Sequence, residues 1–154
     1  MGYSYAHISA IDTTTQAIAV ADTPQVVTFN TIIREDKIVA TSSSRFTVNE
    51  TGEYLVSANT EVTASNAGKT LDLWIRVNGS DVANTNHKSY IKNTSDVEFL
   101  PVGGMVISVT AGDYIEFWIS GDSTTLSMVS YAAGTTPTRP ATPSISMTVQ
   151  KIHP

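Results

Sequence analysis

The sequence predicts an all-β fold, a two-sheet antiparallel jelly-roll sandwich. Three observations carry that expectation. Between Arg45 and Gly121 apolar residues recur at every second position in one short run after another, as half-buried strands require. The runs are punctuated by turn formers such as Asn78-Gly79 and Gly112-Asp113. No helix is needed to account for any of them. At 154 residues the chain has the size of one domain and can bury most of the surface its unfolded form exposes.

Residues 1–16 read as an extended N-terminal arm. Tyr3, Tyr5, His7, Ile8 and Ile11 stand there in a polar, Thr-rich setting without the length of a core strand. Such arms fray unless something docks them. Two tyrosines and two isoleucines exceed what a solvated tail needs, so these five residues are candidates for contact with a partner or a neighbouring subunit.

Residues 17–154 read as the jelly-roll domain. The runs 17–21 and 25–33, on either side of Asp22-Thr23-Pro24, are expected to form the first strand pair. A short strand at 38–40 follows, and 46–48 leads through Asn49 to Gly52 into a strand over 54–62. In that strand Tyr54, Val56, Ala58, Thr60 and Val62 share the better core face. The strand over 71–77 points Leu71, Leu73, Ile75 and Val77 inward and Asp72, Trp74 and Arg76 outward. Residues 80–96, rich in Asn, Ser and Thr, mark an exposed loop or weak edge strand.

Met105, Ile107 and Val109 alternate with Val106, Ser108 and Thr110. Beyond the turn, Ile115, Phe117 and Ile119 alternate with Tyr114, Glu116 and Trp118. Large apolar groups therefore lie on both faces, which in a two-sheet sandwich points to burial by another subunit. Trp74, Tyr114 and Trp118 are the candidate subunit-interface residues. Residues 132–144, with three prolines among them, read as a semi-rigid loop, and a last strand covers 145–152.

Composition narrows the function classes. Charged residues make up 15% of the chain, below the usual quarter, so a lightly charged surface is expected to be covered by neighbours. A formal charge of −5 opposes binding to phosphate backbones and argues against nucleic acid. The absence of cysteine excludes a disulfide framework and thiolate chemistry. The N-terminus has neither the basic nor the apolar region of a signal peptide, and no run is long and apolar enough for a bilayer span, so no membrane partner is expected.

His7, His87 and His153 are scattered, and no Gly-x-Ser-x-Gly elbow or His-Glu-x-x-His helix accompanies them. No catalytic residue is assigned and no enzyme is expected. Asp81, Asn84, Asn86 and Asp96 form an oxygen-rich set suited in principle to Ca²⁺, but their spacing fits no EF-hand loop and they read as turn formers; no metal or cofactor is expected. Sequons begin at Asn49, Asn78 and Asn93, and without a secretory leader they read as incidental. Arg139, between Pro137 and Pro140, joins Arg34, Lys37 and Lys88 as cations placed to meet an acidic partner.

Several of these pieces occur in a familiar order. Phe46-Thr47-Val48 followed by Gly52-Glu53-Tyr54, the apolar strand ending in Asn78-Gly79, and Gly103-Gly104 with the strand after it and Gly112-Asp113 resemble the complement component 1q-like and tumour necrosis factor-like jelly roll. Tyr114 to Ser120 resembles its aromatic-rich strand. The resemblance spans residues 17–152 and implies a homotrimer that binds rather than catalyses. The chain departs from the animal proteins in lacking a collagen-like stalk, cysteine and a secretory signal. Its Thr, Ser, Asn and Ala bias resembles structural proteins of tailed bacteriophages instead. By that analogy the expectation is a virion protein: a trimeric capsid decoration, or cement, protein on the major capsid protein, held by its N-terminal arm and basal loops. The alternative is a receptor-binding fibre head that meets a host surface through 80–96 and 132–144.

Overall fold

A computed structural model describes residues 5–154, with no helix among them. The chain runs through β1 (His7–Asp12), β2 (Gln16–Ala17), β3 (Gln25–Val26), β4 (Thr31–Asp36), β5 (Ile38–Ala40) and β6 (Phe46–Val48) to its longest strand, β7 (Gly52–Ala64). It continues through β8 (Lys69–Val77), β9 (Ser80–Asp81), β10 (His87–Ile91), β11 (Glu98–Val109) and β12 (Tyr114–Gly121). The last elements are β13 (Leu126–Met128), β14 (Gly134–Thr135), β15 (Thr138–Arg139) and β16 (Ile145–His153).

These strands make two antiparallel sheets face to face. The first has the order β2-β13-β7-β16-β1-β4, with β11 also on β7; the second has the order β10-β8-β12-β6-β5, with β3 on β12 and β9 on β8. The alternation read from the sequence is what closes the sandwich. Tyr54, Val56, Ala58, Thr60 and Val62 of β7 are all buried, and they meet Leu71, Leu73 and Ile75 of β8 and Ile115, Phe117 and Ile119 of β12 from the opposite sheet. Phe29 bridges two core rings edge-on, with centroids 5.2 Å from Phe46 and 5.8 Å from Phe117. Tyr54 keeps its ring inside and donates its hydroxyl to the Glu50 carbonyl at 2.7 Å. Asn78 (φ 51°) and Gly79 (φ 80°) both take the left-handed conformation that a two-residue hairpin turn demands.

The N-terminal stretch differs from expectation. His7–Asp12, read as part of an arm, is an internal strand between β16 and β4. Ile8 and Ala10 are buried in the core, and Asp12 is buried at the strand's end. Alternation is present, but small Ala10 carries little apolar signal and inward Asp12 reads as polar. Asp12 is tolerated because its Oδ1 accepts from the Thr14 backbone N–H at 2.7 Å and the Thr14 hydroxyl at 2.6 Å.

The expected first strand pair is also absent: β2 pairs with β13, β3 with β12, and β4 with β1. Pairing outward places Ile18, Val27 and Phe29 in the core, a larger apolar gain than a local hairpin offers. Residues 80–96 contain β9 and β10 on the edge of the second sheet, and 132–144 contains the small β14–β15 hairpin.

Candidate functional site

The outer face of the second sheet carries a cluster of outward aromatic and charged side chains. Alternation along β8 turns Asp72, Trp74 and Arg76 away from the core, and β12 does the same for Glu116, Trp118 and Ser120. The antiparallel register sets Ser120 opposite Asp72, Trp118 opposite Trp74 and Glu116 opposite Arg76. The Arg76 guanidinium lies over Trp118, 4.0 Å from the ring centroid, and 5.7 Å from that of Trp74. Arg76 Nε and the Trp74 indole N–H both donate to Oδ1 of Asp81, at 2.6 Å and 2.7 Å. These two donors, Arg76 first, hold the Asp81 carboxyl below the usual carboxylate range.

Residues 82–86 fold back against β8 and give this cluster a wall. Val82 N–H donates to the Ile75 carbonyl at 3.0 Å, and the Thr85 hydroxyl accepts from Ile75 N–H at 3.2 Å while donating to the Val82 carbonyl at 2.8 Å. Asn84 takes φ 63°, turning the chain. Asn86 Nδ2 donates to Oδ1 of Asp72 at 2.7 Å, and Lys88 Nζ stands 3.4 Å from the same oxygen. The result is an open cleft of about 340 Å³ whose lining includes Trp74, Asp72, Asp81, Asn84, Asn86 and Ser120.

Tyr114 lies lower on the same sheet, with the Arg45 guanidinium 4.3 Å above its ring. Arg45 Nε stands 3.4 Å from Oε2 of the buried Glu116. At this end Asn78 Nδ2 donates to Asp113 Oδ1 at 2.7 Å, Asn78 Oδ1 accepts from Tyr114 N–H at 3.0 Å, and Thr110 N–H donates to Asp113 Oδ2 at 2.8 Å. The Thr110 amide, then the Asn78 amide, hold Asp113 below the usual range.

The sequence-derived candidates are distributed as follows. Tyr3 lies outside the described residues. Tyr5 is 70% exposed and meets the His7 ring edge-on at 6.5 Å between centroids. His7 and Ile11 point outward from the first sheet, half-buried. Ile8, expected in a docking arm, is fully buried in the core and has no surface to offer. Arg139 is exposed but turns its Nη1 back to the carbonyls of Thr136 and Pro137, each at 3.3 Å, and so staples its own hairpin. The oxygen-rich set divides: Asp81 serves Arg76 and Trp74, whereas Asp96 accepts from Asn93 N–H at 3.0 Å. Trp74, Tyr114 and Trp118 do share one outer face, yet each already has an arginine from its own chain beside its ring. Arg76 and Arg45 are what the sequence reading missed. Only the outward phase of Arg76 on a Trp-bearing strand hinted at it.

No protein-family model matches the chain, and no curated protein does. Solved structures do match. The crystal structure of murine APRIL at pH 8.5 superposes with a TM-score of 0.59 at 12% identity, covering 97% of this chain and 100% of that one. The Eiger tumour necrosis factor of S. frugiperda gives 0.58 at 13% identity over 99% and 94%. The fold is a tumour necrosis factor-like jelly roll. Identities this low carry the architecture of the tumour necrosis factor-like domain and none of its side-chain chemistry.

Proposed function

We propose that this chain is a virion structural protein, a non-catalytic homotrimer that decorates and stabilises the assembled shell of a tailed bacteriophage. One observation supports its association most directly: the outer face of the first sheet has a charge-free centre. Across it run Val106, Leu55 and Gln150 in one row, Ser57 and Thr148 in the next, and Pro101, Asn59 and Ser146 in a third. Ser9 extends the middle row, its hydroxyl 3.1 Å from that of Thr148. Charges stand at the margins: Glu53 and Glu61 on β7, and Asp36 and Arg34 on β4, with Arg34 facing Ser9 at the end of the middle row. Depletion of charge at the centre of a flat patch is the compositional mark of an interface core. Val106 is 52% exposed within the patch, and Phe99, 61% exposed, adds apolar area beside it.

Self-association on this face leaves the second sheet outward. Because His7–Asp12 is a strand of the sheet whose outward His7 and Ile11 lie on the face given to self-association, the shell contact assigned to the N-terminus narrows to Tyr3 and Tyr5. Stabilisation follows from mass action: a protein that binds only the assembled shell raises the free energy needed to open it. Three copies of each contact add avidity.

The cleft beside β9 and β10 favours a second reading, a receptor-binding fibre head. Counting copies of the chain in purified virions by quantitative mass spectrometry separates the two. Copies on the order of hundreds support decoration, and a few tens or fewer support a tail appendage. Absence from the particle overturns both.

A further inference from the structure

The cleft on the second sheet sets one aromatic ring among polar side chains. Its lining includes one aromatic platform, Trp74, whose N–H is spent on Asp81, so the ring is fixed at its edge. Around it stand two carboxylates, two carboxamides and two hydroxyls, Asp72, Asp81, Asn84, Asn86, Thr85 and Ser120, the Thr85 hydroxyl being engaged by Ile75 and Val82. Asp72 is oriented by Asn86 and Lys88, and Asp81 by Arg76 and Trp74. Each carboxylate has room for about four hydrogen bonds, so both keep acceptor capacity for further donors. Asp72, Asp81 and Asn86 are already held by neighbours and lose little freedom on binding. The 340 Å³ volume falls at the low end of small-molecule sites, about 300–1,000 Å³.

We infer that this cleft binds a neutral pyranose sugar, with C–H groups on the Trp74 face and hydroxyls bridging the Asp72 and Asp81 carboxylates and the Asn84 and Asn86 amides. The charge balance selects among sugars. Each lining carboxylate is matched by a cation, Asp72 by Lys88 and Asp81 by Arg76, so the site is locally neutral, and in a chain of net charge −5 it offers no excess positive charge to hold sulfated, phosphorylated and uronic-acid glycans. Lys88 and Arg76 occupy the carboxylates' cationic partners' places, which disfavours an incoming basic peptide. The inference rests on the geometry of one subunit and holds for either virion role, so its failure is separate from the outcome of the copy count.

The test is binding of the full chain to neutral hexose and N-acetylhexosamine oligosaccharides on an array, followed by saturation-transfer NMR in solution. The expected result is saturable binding at millimolar sugar or below. Trp74→Ala should weaken it at least about tenfold, with partial recovery in Trp74→Phe. Asn84→Gly, which keeps the left-handed backbone while deleting the amide, should weaken it without altering the melting midpoint, so a folding defect cannot imitate the result. Absence of binding to every neutral sugar overturns the inference. So does equal binding by Trp74→Ala and Asn84→Gly, or a preference for anionic glycans or basic peptides.

Discussion

Trp74 and Trp118 stand directly opposite one another across β8 and β12, on the solvent side of the second sheet, with the Arg76 guanidinium over the Trp118 ring and its Nε bonded to Asp81. Two large aromatics on an outer face are normally an exposed liability. Here Arg76 covers Trp118 from within the chain, while Trp74 stays partly exposed and lines the cleft. The arginine is therefore the residue to test.

Arg76→Ala should lower stability by about 1–2 kcal/mol, chiefly by uncovering Trp118 and losing its contact with a cation and an alkyl stem. Arg76→Lys should fall between, since an ammonium does not lie flat on an indole. Urea unfolding followed by tryptophan fluorescence reads both. An unchanged midpoint in Arg76→Ala would show that the stack contributes nothing.

Ile8→Ala should cost about 2–5 kcal/mol, the range for emptying a fully buried aliphatic site. Tyr5→Ala, three residues earlier and exposed, should stay within about 0.5 kcal/mol. The comparison by denaturant midpoint distinguishes a core strand from a docking arm. Equal, small effects would return His7–Asp12 to the status of an arm. Deleting residues 1–12 should unfold the domain, because β16 and β4 would lose the strand between them.

Acid should loosen the end of the second sheet where Asp113 ties Thr110 to Asn78. Its folded pKa is depressed, so its contribution is complete above the ordinary carboxylate value, about 3.9, and is lost as pH falls through the lower folded value. Stability measured between neutral pH and strongly acidic buffer should decline below about pH 4. Asp113→Ala should start lower at neutral pH and decline less. Parallel pH curves for the two proteins would show that Asp113 contributes nothing to the acid transition.

Ser57→Glu places a charge at the centre of the uncharged patch and should raise the dissociation constant for self-association about tenfold or more. Trp118→Ala should instead lower stability and leave the sedimenting mass unchanged. Analytical ultracentrifugation on dilution decides between them. The reverse pattern, intact assembly in Ser57→Glu and dissociation in Trp118→Ala, would move the interface to Trp74, Tyr114 and Trp118.

Much of the candidate site could be read in the sequence as positions and little of it as partnerships. Trp74, Trp118 and Asp72 are identifiable as outward from the two-residue period alone. That Arg76 caps Trp118, or that Asn86 orients Asp72, depends on which strand lies beside which and where residues 82–86 return. Arg139 shows the converse: a lone cation between prolines reads as a partner contact until its guanidinium is found bonded to its own hairpin.

The sequence by itself determined the all-β class, the inward face of β7, β8 and β12 and the Asn78-Gly79 turn, because alternation and left-handed turn residues are local properties of the chain. Only the tertiary structure decided that His7–Asp12 is an internal strand and that β2, β3 and β4 pair with β13, β12 and β1. It alone set the uncharged centre of the first sheet and the cleft of the second. Strand pairing over a hundred residues or more, as between β1 and β16, is chosen by the total apolar surface buried, a sum over the whole fold that no local window contains.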